Sequence, residues 1–141
     1  MDLAQRGFLV PVLPAEASAE LGAGVYTTPS LELATHLAGV GGRAGAVLVF
    51  RVPPVEGLKV WELGREEWRR VVARELGIRK GRGRGALVDV VVGGVSGDAW
   101  VAKMERRMPV AEMGLRQAVW RSGEACRRLA SALMAVVFLE D

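Results

Sequence analysis

Apolar positions along this chain follow two spacings, and the change from one to the other marks its elements. Trp68, Val71, Val72 and Leu76 fall three to four residues apart, so a helix is predicted over Arg65–Leu76, ended by Gly77. Leu31, Ala34 and Ala38 repeat that spacing and predict a second helix. Thr28 is placed to cap it, Pro29 to take its first position and Gly39 to stop it. Ser122 is placed to cap a helix running through Leu133, with Ala125, Leu129 and Leu133 turned inward. Asp98–Arg107 reads as a further helix, closed by Pro109. Elsewhere, β-branched and aromatic runs are bounded by Gly, Pro or charge. They predict buried strands at Ala46–Val52, Lys59–Glu62, Val88–Val92, Gln117–Arg121 and Ala135–Leu139. Strands outnumber helices without regular β-α-β alternation, which predicts an α+β domain with a largely antiparallel sheet.

The length of 141 residues fits one domain spanning 1–141. Half the residues are hydrophobic and a quarter charged, the balance of an ordinary soluble globular protein. No apolar run approaches the about 20 residues that span a bilayer, so no membrane partner is expected. Ala17-Ser-Ala19 has the form of a signal cleavage site. The apolar stretch before it is short, Pro11 and Pro14 break it, and Asp2 precedes its only arginine. A cytoplasmic protein is therefore expected, with secretion as the alternative. Cys126 is the sole cysteine and His36 the sole histidine, so no intrachain disulfide, His/Cys metal cluster or Cys–His catalysis is expected. Cys126 reads as a small packed side chain, although Arg127 and Arg128 beside it would lower the pKa of an exposed thiol.

The net charge of +3 sets nineteen basic residues, sixteen arginines and three lysines, against sixteen acidic ones. They are densest at Arg79-Lys80-Gly-Arg82-Gly-Arg84-Gly85, where alternating glycine prevents a stable helix and predicts a solvated basic loop. No aromatic side chain is interleaved there to stack bases, so nucleic acid is the weakest of the partners considered.

The stretch with the most chemistry is Gly22-Ala-Gly24-Val-Tyr26-Thr27-Thr28-Pro29-Ser30. It reads as a glycine turn, a short strand and a helix start, which brings a tyrosine and two hydroxyls to a place where backbone N–H groups can face an anion. This segment resembles the second motif of the ADP-ribosyltransferase superfamily, in the diphtheria-toxin-like and poly(ADP-ribose) polymerase branch. It is similar above all to fungal and bacterial domains with a "G-x-Y-x-T" signature. Later segments extend the likeness in order. Ala46–Val52 stands where the branch has a buried "LL-x-x-V" strand, Leu87–Gly94 is similar to "Y-D-[IV]-V-x-G-P", and Arg116–Ser122 to "Q-[IV]-x-F-x-[ST]".

The resemblance implies a split, mostly antiparallel sheet with short helices and an NAD cleft. It also implies ADP-ribosyl transfer to a protein acceptor, or NAD hydrolysis. NAD is then a substrate, bound by Arg6, Gly24, Tyr26, Thr27, Thr28 and Ser30, with Tyr26 and Gln117 as catalytic candidates. Tyr26 would stack on nicotinamide and, as a cleft residue, contribute less to the fold than Val47 or Leu48. Its other reading is an ordinary strand aromatic with its hydroxyl satisfied at a rim. Gln117, at the head of the late strand, reads equally as a ribose-binding amide or a strand-end polar residue. Glu112 and Glu124 do not form the closely spaced acidic pair of the arginine-modifying toxins. The "[HR]-G" first strand of the superfamily has no counterpart, because Leu3–Phe8 already resembles the turn that follows it. The expectation is thus a domain lacking that strand, one in which Arg6 substitutes through a guanidinium that forks onto pyrophosphate, or a catalytically inactive interaction module of the same fold.

Overall fold

Residues 65–75 show most directly how the sequence builds this molecule. In the computed structural model, which describes residues 6–9, 20–39, 45–77 and 88–139, they form a helix that buries Trp68, Val71, Val72 and Ala73. Glu67 reaches back to accept from the Gly64 amide (3.4 Å) and from Trp61 Nε1 (2.9 Å), which supplies the helix start with an acceptor. Leu76 caps the other end, and Gly77 takes the left-handed conformation (φ +72°).

The elements run β1 (Arg6–Leu9), β2 (Val25–Thr28), α1 (Leu31–Ala38), β3 (Ala46–Arg51), β4 (Val60–Glu62), α2 (Arg65–Glu75), β5 (Val90–Ser96), α3 (Ala99–Glu105), β6 (Ala111–Trp120), α4 (Gly123–Ser131) and β7 (Leu133–Phe138). Hydrogen bonds join the strands in the order β4-β5-β6-β2-β1-β3-β7. Only β4 and β5 pair in parallel, joined through α2, and all other pairs are antiparallel. The protein is an α+β fold with a mostly antiparallel sheet and short helices.

Register sorts the core by face. Tyr26 pairs with Val119, which pairs with Val91, and these side chains pack with Leu21, Leu63, Trp68, Val71 and Val72 beneath α2. One residue along, Val25, Trp120 and Val90 turn to the opposite face, where Ala125 and Leu129 of α4 cover them. Ala34 of α1 packs on Val47 and Val49. Val49 lies opposite Phe8 and Phe8 opposite Thr28, so α1 shares the Tyr26–Thr28 face with α2.

Several expectations change. Arg6, Gly7 and Phe8, expected within the turn Leu3–Phe8, belong instead to strand β1, which lies between β2 and β3. The cap of α1 is Ser30, whose Oγ accepts from the Leu33 amide at 3.2 Å; Thr28 still belongs to β2, and Leu31 faces solvent. β5 continues through Gly93 and Gly94, which pair with Gln117 and Arg116 of β6; a Cβ at Gly93 would stand 3.2 Å from the side chains of Leu63 and Trp68. β6 begins at Ala111, six positions before the expected Gln117, so Gln117 stands within the strand and not at its head. α3 stops at Glu105, because Arg106 is left-handed (φ 52°). α4 ends at Ser131, and Leu133, expected inside that helix, opens β7 instead. β7 was expected to be buried, yet all six of its residues are exposed. The basic stretch Arg79–Arg84 lies outside the described residues. Among them, no helix is long and apolar enough to cross a membrane.

Candidate functional site

The glycine–tyrosine–threonine segment and the late glutamine segment, some ninety residues apart in sequence, lie on adjacent antiparallel strands. Val25, Tyr26 and Thr27 of β2 pair with Trp120, Val119 and Ala118 of β6. Gly24 makes the approach possible. Its φ is +153°, and a Cβ there would stand 2.5 Å from Val119 Cγ1 and 2.8 Å from the Trp120 carbonyl oxygen. Only glycine fits so close to a neighbouring backbone. Gly22, at φ +97°, completes the turn.

The hydroxyl-bearing side chains of the segment are engaged inside the protein. The Tyr26 hydroxyl donates to the Gly22 carbonyl and accepts from the Leu21 amide (3.2 Å), which closes the turn onto the strand. Its ring packs against the core beneath α2. Burial pushes the phenol well above its ordinary pKa, assisted by the negative charges of Glu20 and Glu75, so the hydroxyl stays protonated. Thr27 turns to the other face and accepts from Trp120 Nε1 at 2.9 Å. Thr28 is buried; its hydroxyl donates to the Arg116 carbonyl (2.9 Å) and accepts from the Ser30 amide (3.1 Å). Ser30 is occupied as the cap of α1. The backbone of Arg6 pairs with Arg51, on the far side of β1 from β2.

Beside Thr28, Gln117 spends both amide hydrogens. Its Nε2 donates to Glu20 Oε1 (2.6 Å) and to the Gly94 carbonyl (2.9 Å), which also accepts from Trp68 Nε1 at 3.0 Å. Two fixed donors orient the amide and leave its oxygen as the group able to accept from a ligand. The sequence reading missed Glu20. This carboxylate is 4% exposed and also accepts from the Ser96 amide at 3.0 Å. Burial raises its pKa, against the lowering effect of its contacts with Ser96 and Gln117. The Ser96 hydroxyl is the one buried side-chain polar atom among the described residues without a hydrogen bond of sound geometry. The only sequence signal for Glu20 is a charge set in the small and apolar run Ala17–Val25, which says nothing about its partners.

The site is thus a hydrogen-bonded cluster of Glu20, Gln117, Ser96 and the Gly94 carbonyl, bounded by the Tyr26–Ser30 segment and the Trp68 indole. It can accept hydrogen bonds through Gln117 and hold or release a proton at Glu20. Cys126 lies elsewhere, on α4 and partly buried against the cluster of Trp120, Ala125 and Leu129, with its thiol donating to the Trp120 carbonyl at 3.4 Å, as a small packed side chain would. Among the described residues no group of three or more His, Cys, Asp or Glu could hold a metal ion. Compared with protein-family models, curated proteins and solved structures, the chain has no significant match.

Proposed function

We propose that this chain is an NAD-binding domain of the ADP-ribosyltransferase-like kind, with a cleft on the α1–α2 face beside Thr28 and Gln117. The observation that carries the reading is the pairing of β2 with β6, which brings Tyr26 and Thr28 to the same face of the sheet as Gln117. A ligand held there meets the Gln117 amide oxygen and the Thr28–Ser30 strand-to-helix junction. Departure of nicotinamide from NAD leaves positive charge on the ribose, which a nearby carboxylate stabilises. Glu20, joined to Gln117 within this cluster, is the one buried carboxylate among the described residues. The two-sheet division of that fold and the transfer of ADP-ribose to a protein belong to this proposal.

The second reading is an inactive interaction module of the same kind. It is favoured by one observation: the hydroxyls of Tyr26, Thr27, Thr28 and Ser30 all serve internal hydrogen bonds. Calorimetric titration with NAD, followed by an assay of nicotinamide release, separates the two. NAD binding with release supports the enzyme, and binding without release supports the inactive module. No NAD binding refutes the leading reading.

A further inference from the structure

The unpartnered Ser96 hydroxyl and the buried Glu20 carboxyl stand side by side. The pairing of β5 with β6 shifts register between Gly94 and Ser96. Such irregularities re-aim the residue that carries them, and here the Ser96 amide donates to Glu20 Oε1 at 3.0 Å. The hydroxyl of the same residue lies against the carboxyl but is not aligned on it. Native proteins rarely bury a hydroxyl unpaired, because its bond to water is lost with nothing in return.

The other donors around the cluster are committed. Gln117 Nε2 gives one hydrogen to Glu20 and one to the Gly94 carbonyl, which also takes the Trp68 indole N–H. The Tyr26 hydroxyl donates to the Gly22 carbonyl and the Thr28 hydroxyl to the Arg116 carbonyl. A neutral Glu20 is served by the two N–H groups that meet its Oε1. An ionised Glu20 is a buried anion, which is stabilised by each further donor that turns to it. In this cluster the Ser96 hydroxyl is the donor still free, and it rotates to suit its acceptor. Among the described residues, burial and the bonds from Ser96 and Gln117, and no neighbouring charge, decide how readily Glu20 ionises. The ionisable groups of the surrounding elements are otherwise engaged. The Tyr26 phenol stays neutral, Glu75 pairs with Arg74, Asp98 with Arg107 and Arg116 with Glu62, while Glu112 lies beside Gly97.

We infer that Ser96 is a positioning residue whose hydroxyl turns onto the Glu20 carboxylate as the proton leaves, so that Ser96 sets how readily this buried carboxyl ionises. In the proposed function, on which this extension rests, the ionised carboxyl is the form that stabilises the ribose cation, so Ser96 also sets the acid limit of the reaction.

An NMR titration of ¹³C-labelled glutamate carboxyl groups reads the acid constant of Glu20 directly. Ser96→Ala should lower that constant at least ~10-fold, as the loss of a hydrogen bond to a buried anion does. Ser96→Thr keeps the hydroxyl and should stay near the unmodified chain. Ser131→Ala, which removes a hydroxyl bonded to the Arg127 carbonyl on α4, should change nothing. An unchanged constant in Ser96→Ala overturns the inference, as does an equal fall in Ser96→Thr or Ser131→Ala. The unmodified chain gives a readout that needs no variant: the Ser96 Cβ resonance should titrate with the midpoint of the Glu20 carboxyl, and a resonance that stays flat through that midpoint overturns the coupling. Nicotinamide release separates the inference from the proposed function. Where it occurs, the acid limb of its pH profile should rise in Ser96→Ala as far as the carboxyl titration does, and a limb that stays in place overturns the part of Ser96 in the reaction. No release from the unmodified chain counts against the enzyme reading alone, and the carboxyl titration still decides the inference.

Discussion

Replacing Glu20 by glutamine tests the centre of the candidate site. The carboxylate accepts from the Ser96 amide and from Gln117 Nε2, and it is almost wholly buried. Removing it as Glu20→Ala leaves two buried donors unpaired, at about 1–3 kcal/mol each, so that variant should lose roughly 2–6 kcal/mol of stability. Glu20→Gln keeps the shape and supplies an amide oxygen to the same donors, but it cannot ionise. Burial raises the folded-state pKa of Glu20 above its ordinary value of 4.5. Over the interval between that value and the raised one, the folded protein binds more protons than the unfolded chain, so this group's contribution to stability falls as pH rises. Below the interval the carboxyl is neutral in both states, and Glu20→Gln should match the unmodified protein within about 1 kcal/mol. Above it the variant avoids a buried charge and should gain on the unmodified protein. Asp89, Asp98 and Glu124 have lowered pKa values and lose their contributions as pH falls, but they do so equally in both proteins and cancel in the difference. Urea unfolding of the pair at steps from about pH 4 to about pH 8 measures that difference. A difference that stays constant with pH refutes the reasoning, because it would mean that Glu20 is not held against ionisation.

Three further outcomes follow from the same geometry. Gly24→Ala should cost about 2–4 kcal/mol in chemical denaturation, because the new Cβ meets Val119 and the Trp120 carbonyl, whereas Gly123→Ala, with nothing within 4 Å, should be nearly neutral. Tyr26→Ala should lose about 3 kcal/mol of stability, contrary to the expectation for a cleft residue, because the half-buried ring packs against the core; Tyr26→Phe should lose only about 1–2 kcal/mol, and under the proposed function should retain NAD binding in a calorimetric titration. Gln117→Glu sets a second carboxyl against Glu20, so denaturation should show a stability loss that grows from acid to neutral pH, with no recovery of nicotinamide release.

Most elements are legible in the sequence because their cause is local. The apolar stripe Trp68–Leu76, Gly77 beyond it and the Ser122 cap each act within a few residues, and α2 and the start of α4 form where they predict. Tertiary contact decided the rest. Gly93 and Gly94 read as the end of a strand, yet β5 runs through them because Gln117 and Arg116 of β6, more than twenty residues away, pair with them. That the Tyr26 hydroxyl closes onto the Gly22 carbonyl follows from the turn at Gly22 and Gly24, which the residue pattern alone does not show. Ala135–Leu139 reads as a buried strand because its residues are apolar, but the sheet order leaves β7 at the end of the sheet, with Leu133–Phe138 exposed. Glu20 acquires its meaning only from Ser96 and Gln117, seventy-six and ninety-seven positions away. Sequence spacing encodes periodicity and capping, which are interactions between near neighbours. Burial of a charge and the cover of a strand depend on which distant segments the sheet order brings alongside, and that information lies in the packing.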